Sequence, residues 1–263
     1  MAVLGAILGD ILGSQYEFNR PFDLDWENVA IIGESGVEFT DDTVMMLAIK
    51  KAIDEDLDLV DTMVQIGRHY PNCGFGGRFY YWIFGRDHSP YNSWGNGSAM
   101  RVAYIGEFYD DYDEMQSMAA KTAAVSHDHP EGIKGAVVTA TCIWMARHGK
   151  SKEEIFNYVL EEYPPEKYPF SIDKDMEYLR KHYVWTEKCS DTVPAAMRCF
   201  YESTDYESFM RNIYSFECDS DTFGAIAGGV AEEYYGGFGW IDGEGIVKKY
   251  LDERMKKILT KNN

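Results

Sequence analysis

The chain has 263 residues, enough to bury a large core, and nothing in its composition divides it, so residues 1–263 are expected to form a single domain. Lys and Arg number 25 against 44 Asp and Glu, a formal charge of −19 with no local basic patch, which argues against nucleic acid as a partner. The five cysteines are odd in number and never spaced CxxC, so neither a disulfide framework nor a structural zinc site is indicated, and a reducing cytoplasm fits best.

In chain order, the opening MAVLGAILGDILG lacks a basic leader, is interrupted by Asp10 and is too short to span a bilayer, so a soluble cytoplasmic protein is expected, with no membrane partner. Gly5, Gly9 and Gly13 recur every four residues, which lets a neighbouring backbone approach a buried first helix. Next, EFTDDTVMMLAIKKAI (38–53) sets Thr40, Asp41 and Asp42 ahead of a helix whose stripe is Val44, Leu47, Ala48 and Lys51. Helix capping alone accounts for such a cluster, because hydroxyls and carboxylates satisfy the free N–H groups of a first turn.

PNCGFGGRFYYWIFG (71–85) places Gly74, Phe75 and Gly76 before an aromatic helix, where exposed N–H groups suit a phosphate; a plain tight connection is the competing reading. SPYNSWGNGSAMRVAYIG (89–106) carries a polar loop, Ser93, Trp94, Gly95 and Asn96, in which Trp94 is placed to stack on a base. In VSHDHPEGIKGAVVTATCIW (125–144), His127 and His129 precede a helix striped by Ile133, Val137, Ala140 and Trp144. No third nitrogen or sulfur ligand lies nearby, so His127 is read as a hydrogen-bonding group or a cap rather than a zinc ligand. Residues 163–185, aromatic and proline-containing, read as an irregular insertion without chemistry. FECDSDTFGAIAGG (216–229) repeats the earlier pattern, with Asp219, Asp221 and Thr222 before a helix carrying Phe223, Ile226, Ala227 and Val230. Alternating strand patterns are scarce, so the predicted class is all-α, a compact multi-helix orthogonal bundle.

If the two acidic helix starts face each other, Glu17 joins them to bring five carboxylates together. Like charges at ~4 Å repel by roughly 4 kcal/mol per pair at an effective dielectric of about 20. Two divalent cations at ~3.5–4 Å from one another would leave a net charge of about −1, and hydroxyl and carboxylate oxygens suit hard ions such as Mg²⁺ or Mn²⁺. A dinuclear site between helix N-termini is therefore expected, on the condition that the segments converge.

Taken together and in order, GDILGSQYEF, FTDDTVM, NCGFGG, NSWGNGSAMRV, VSHDHPEG, DTVPAAM and DSDTFGAIAGGVAEEYYG resemble the ADP-ribosylglycohydrolase family over nearly the whole chain. The resemblance implies an all-α hydrolase with two Mg²⁺ or Mn²⁺ ions that cleaves ADP-ribose from an acceptor, a protein side chain or a small molecule. It puts Thr40, Asp41, Asp42, Asp219, Asp221 and Thr222 on the metal ligands and Glu17 on the ligand beside the scissile bond, with Glu17 and Asp41 catalytic. It sets Gly74, Phe75 and Gly76 near the diphosphate, Ser93, Trp94, Gly95 and Asn96 near the distal ribose and phosphates, and His127 against ADP-ribose. Asp10 is read as a brace for the first helix, and the protein as a monomer. Two departures stand out: Glu217 and Cys218 replace a frequent Gly-Gly, and Asn72 and Cys73 stand where arginine-specific members carry an acidic residue. A non-catalytic binding protein of the same fold and a two-metal phosphohydrolase are the competing functions.

Overall fold

The computed structural model describes residues 1–261. Its helices, in chain order, are α1 (Ala2–Ser14), α2 (Asp41–Asp54), α3 (Leu59–Gly67), α4 (Gly77–Phe84), α5 (Ala103–Phe108), α6 (Tyr112–Ala124) and α7 (Pro130–Arg147). There follow α8 (Lys152–Glu162), α9 (Met176–His182), α10 (Cys189–Glu202), α11 (Tyr206–Tyr214), α12 (Ser220–Tyr235), α13 (Gly243–Tyr250) and α14 (Glu253–Thr260). A 3₁₀ turn covers Asn96–Ser98. Among the described residues there is no strand, only an isolated bridge between Gly95 and Lys188, so the all-α expectation holds. No described helix is long and apolar enough to cross a membrane.

Helices α1 and α12 form the centre. Every residue of α1 from Ala2 to Gly13 is buried, and α12 is buried from Ser220 to Glu232. A helix apolar on all sides has no solvent face and belongs in a core. The pair runs antiparallel, Gly5 opposite Gly228, Gly9 opposite Gly224 and Gly13 opposite Ser220, so closely that a Cβ at Gly9 would collide with the Gly224 carbonyl. Glycine in a helix costs about 0.5–1 kcal/mol, whereas burying Ile7, Leu8, Ile11 and Leu12 contributes about 1.5–3 kcal/mol each. Burial outweighs the glycine cost, and the seam forms.

Around this pair, α7, α10 and α11 pack against α12, and α2, α5 and α13 against α1. On α2 the predicted stripe is buried at Val44, Leu47 and Ala48, but Lys51 is only half-buried and pairs with Glu55. The α7 stripe needs correction: Ala140 is buried, but Ile133, Val137 and Trp144 are half-buried, and the innermost face includes Gly132, Gly135, Ala136, Thr139 and Ile143. Small residues win that face because a Cβ at Gly135 would strike Cys189, leaving no room for larger side chains. Residues 163–185 contain α9 within otherwise irregular chain. All five cysteines are free.

Since α1 ends where α12 begins, the antiparallel seam carries the turn after α1, which holds Glu17, to the acidic start of α12.

Candidate metal centre and adjoining cleft

Asp10, fully buried on α1, accepts hydrogen bonds from the backbone N–H of Thr40 (3.0 Å) and Thr43 (3.2 Å), from Thr40 Oγ1 (2.8 Å) and from Thr43 Oγ1. Thr40 Oγ1 in turn accepts from the N–H of Asp42 at 3.3 Å. The free N–H groups of α2 are thus satisfied by Asp10 and Thr40, with Cys73 O taking that of Asp41. Neither Asp41 nor Asp42 is needed as a cap, and the buried Asp42 Oδ1 has no partner among the described residues. Asp10 therefore braces α2 as well as belonging to α1, and burial, followed by the charge of Asp221, pushes its carboxyl up to about 7.

At the start of α12, Asp219 Oδ2 accepts from Asn96 Nδ2 at 2.7 Å and Asp221 Oδ1 accepts from the N–H of Thr222 at 2.8 Å. Glu17 lies in the turn beyond α1, which Gln15 anchors by donating to the carbonyls of Leu12 (2.7 Å) and Ile31 (3.1 Å) and accepting from Gly33 N–H (2.9 Å). One oxygen each from Glu17, Asp219 and Asp221 lies within 4.8 Å of the others, a group that could hold a metal ion. Asp41 and Asp42 face the same space.

Crowding has an electrostatic signature. Burial and the charges of Asp221 and Asp219 push Glu17 up to about 10. Burial raises Asp219 to about 6 despite the Asn96 hydrogen bond, and raises Asp41, Asp42 and Asp221 well above the ordinary carboxylate range. Desolvation and like charge both disfavour the ionised forms, and no described cation pairs with these five groups. Oxygen-only donors, a shared buried space and an orphaned carboxylate oxygen fit a hard divalent cation.

The carboxylates floor one end of a cleft of about 430 Å³. Gly74, Gly76, Gly77, Arg78, Arg101 and His127 line the same cleft, Gly74 directly beside Asp41. Gly74 has φ +107°, and a Cβ there would stand 3.0 Å from Asp41 Oδ1, so only glycine can close the loop against α2. Cys73 fixes that approach by accepting from Asp41 N–H at 2.7 Å. Arg101 is fully buried; it donates to Thr122 O (3.0 Å) and Ser126 Oγ (2.9 Å), while its Nε and Nη1 have no partner among the described residues. Burial lowers it to about 10, leaving it a cation. Burial and the charges of Arg101 and Arg78 push His127 well below its usual range, so it is a neutral hydrogen-bonding group, paired through Nδ1 with Ser126 Oγ at 2.8 Å.

Of the residues singled out from sequence, Glu17, Asp41, Asp42, Asp219, Asp221, Thr222, Gly74, Gly76, Ser93, Gly95, Asn96 and His127 line this cleft. Thr40, Phe75 and Trp94 do not. Thr40 is turned to Asp10, and Phe75 packs on Phe79 with ring centroids 5.6 Å apart. Trp94 sits in extended chain stitched to residues 187–189, through Asn96 N–H to Glu187 O (2.7 Å) and Cys189 N–H to Trp94 O (3.0 Å). Alternation along that chain sends its ring away from Ser93 and Gly95, edge-on to His129 at 5.4 Å. His129 is the cap of α7, accepting from Glu131 N–H at 3.1 Å.

Sequence reasoning overlooked Phe18, Arg78, Tyr91, Arg101 and Glu187. Arg78 and Arg101 were detectable as the first cations after the glycine loop and after the NGS turn. Glu187, beyond the insertion, carried no local signal.

The sequence pattern of the family described as ADP-ribosylglycohydrolase matches residues 1–241. The chain is 28% identical to the ADP-ribosylhydrolase ARH3 of Homo sapiens over 304 residues, covering 88% of this chain and 84% of that protein. It is likewise 28% identical to ARH3 of Bos taurus, over 88% of this chain and 83% of that one. A solved structure described as an ADP-ribosylglycohydrolase-related protein complex superposes with a TM-score of 0.75 at 24% identity, over 98% of this chain and 93% of that chain, a likeness of fold.

Proposed function

We propose a reaction for this chain from one premise: it belongs to the ADP-ribosylglycohydrolase family, whose pattern spans residues 1–241. As a member, it is a glycohydrolase of ADP-ribosylated substrates. The observation that carries the detailed reading is the mixed polarity of the cleft, which five carboxylates share with Arg78, Arg101 and the Gly74–Gly77 loop, Gly74 adjoining Asp41. ADP-ribose has matching polarity: an uncharged, hydroxyl-rich distal ribose beside a diphosphate.

In this reading the distal ribose lies over the carboxylates and the diphosphate against Gly74 and Gly76, with Ser93, Gly95 and Asn96 between them and His127 donating or accepting a hydrogen bond. A helix N-terminus preceded by glycines binds phosphate through backbone N–H groups, which lets a chain of charge −19 accept an anion. Two divalent cations, Mg²⁺ or Mn²⁺, held by Glu17, Thr40, Asp41, Asp42, Asp219, Asp221 and Thr222 would offset the crowded charge and supply Lewis acidity toward the ribose hydroxyls. Thr40 is the weakest member of that set, being turned to Asp10.

Glu17 stands where the cleft opens beside the position of the scissile bond. That position suits a group that delivers a proton to the departing acceptor atom, or takes one from the attacking water. Asp41, half-buried and facing the same space, orients that water by accepting its hydrogen bond. The transition state of glycosidic cleavage is oxocarbenium-like, so carboxylates on the ribose side favour the developing positive charge.

Incubation with Mg²⁺ and arginine-linked or serine-linked ADP-ribosyl peptides tests the reading. Free ADP-ribose is the expected product; AMP, or no product, contradicts it. Asp41→Ala with Asp42→Ala should abolish turnover and weaken ADP-ribose binding, whereas Glu17→Gln should lose turnover while retaining binding.

A further inference from the structure

A second cleft, of about 410 Å³, meets the first at Glu17 and is otherwise lined by Phe18, Arg20, Phe22, Trp185 and Glu217. We infer that this is the acceptor subsite, and that it takes a protein acceptor bearing a cationic side chain next to the modified residue, with Glu217 reading the charge. The inference rests on the ADP-ribose reading above, because Glu17 marks the scissile bond only if ADP-ribose fills the first cleft.

Three observations support it. The mouth is apolar: Phe18 is 75% exposed and Phe22 fully exposed, both lining the one cleft. Large apolar side chains clustered in solvent mark a surface that another macromolecule covers. The charges are unequally committed. Arg20 donates from Nε to Tyr214 O (2.8 Å) and from Nη1 to Pro21 O (3.0 Å), so its guanidinium is tied to backbone carbonyls. Glu217 is exposed, with no hydrogen bond or ion pair among the described residues. It therefore lines the cleft as a carboxylate within electrostatic reach of Arg20 but not ion-paired to it, beside Phe18, Phe22 and Trp185, a combination that favours a flat cation through ring faces and a charge-assisted hydrogen bond. The third observation is Trp185, whose ring lies beside Phe18 with centroids 6.2 Å apart and extends the aromatic wall of the cleft.

Both distinctive segments now acquire a use. Glu217 is half of the Glu-Cys pair that departs from the family's Gly-Gly, and Trp185 ends the aromatic insertion. A glycine at 217 would offer no charge.

The test compares two ADP-ribosylated peptides of identical sequence and linkage, using the linkage that product analysis finds cleaved, with either Arg or its neutral isostere citrulline beside the modified residue. The wild type should favour the Arg peptide in kcat/KM by about tenfold, the size of one exposed cation–π contact with one partly exposed charged hydrogen bond. Glu217→Gln should lower the ratio to about threefold, the cation–π part alone, Glu217→Lys should invert it, and Phe22→Ala should reduce it. Far-UV circular dichroism and calorimetric ADP-ribose binding check that each variant is folded with its first cleft intact. Equal rates for both peptides in the wild type, or an Arg preference that survives Glu217→Lys, overturn the acceptor subsite alone. No ADP-ribose binding and no release from either peptide overturn the ADP-ribose reading, and this inference with it.

Discussion

Two sets of residues line the main cleft, an acidic end and a glycine end that meet where Gly74 adjoins Asp41, and they are built from different materials. At the acidic end, Asp42, Asp219, Asp221 and Thr222 are buried at the starts of α2 and α12, held by Asp10, Asn96 and the glycine seam. At the other end Gly74, Gly76, Gly77 and Arg78 sit in solvent on a loop and the first turn of α4, with only Arg101 and His127 buried behind them. The acidic end stores unfavourable charge in a rigid frame, relieved by bound cations or by protonation. The glycine end carries little strain and needs no cofactor. Stability and chemistry should therefore depend on different ends in different ways.

Damage to the acidic end should have the largest effect. Asp41→Asn combined with Asp42→Asn should lower kcat/KM on the order of 10³–10⁴-fold, the loss of several kcal/mol of Lewis-acid stabilisation, read by steady-state release of ADP-ribose. A fall below tenfold would erase the contrast between the ends.

The seam comes next. Gly9→Ala places a Cβ against the Gly224 carbonyl and should cost about 3 kcal/mol in urea unfolding, because neither backbone can retreat. It should also slow turnover, since the seam sets the position of Glu17 relative to Asp219 and Asp221. An unchanged urea midpoint would show that the helices have slack.

Stored charge gives the third. In the metal-free protein the carboxyls of Asp41, Asp42, Asp221 and Asp10 titrate above their unfolded value of about 4. Between that pH and their folded values the native state binds more protons than the unfolded chain, so stability falls as pH rises. Thermal unfolding in chelator should therefore be higher at pH 5 than at pH 8, by about 5 °C, and Mg²⁺ or Mn²⁺ at pH 8 should restore the difference. A metal-free Tm that is higher at pH 8 contradicts the charge assignment.

At the glycine end the effect should be smaller. Arg78 is exposed, donates to Tyr91 O at 2.7 Å and stacks over the Tyr91 ring at 4.7 Å. Arg78→Ala should weaken ADP-ribose binding by about threefold to tenfold, less at high salt, without altering Tm. A loss of stability instead would make Arg78 a structural residue.

The acidic end was legible because Thr40-Asp41-Asp42 and Asp219–Thr222 are local patterns at helix starts, and because three glycines spaced by four announce close backbone approach. Their convergence was not legible, since it depends on α1 and α12 running antiparallel and in register. Capping and ligation could not be told apart until Asp10 was seen to satisfy α2 from another helix. At the other end, Gly74 was visible by its neighbours, but Trp94 turns outward because hydrogen bonds to residues 187–189 set the direction of its strand-like chain. Arg101 looked ordinary in sequence and became notable only when buried with two unpartnered nitrogens. Long-range contacts decide such cases, and no local spacing encodes them.

The most direct test of the central assignment is an anomalous difference map from crystals grown with Mn²⁺ and no other divalent ion. The structure predicts manganese density among Glu17, Asp41, Asp42, Asp219 and Asp221. A map without density there, with these carboxylates turned apart, would contradict it.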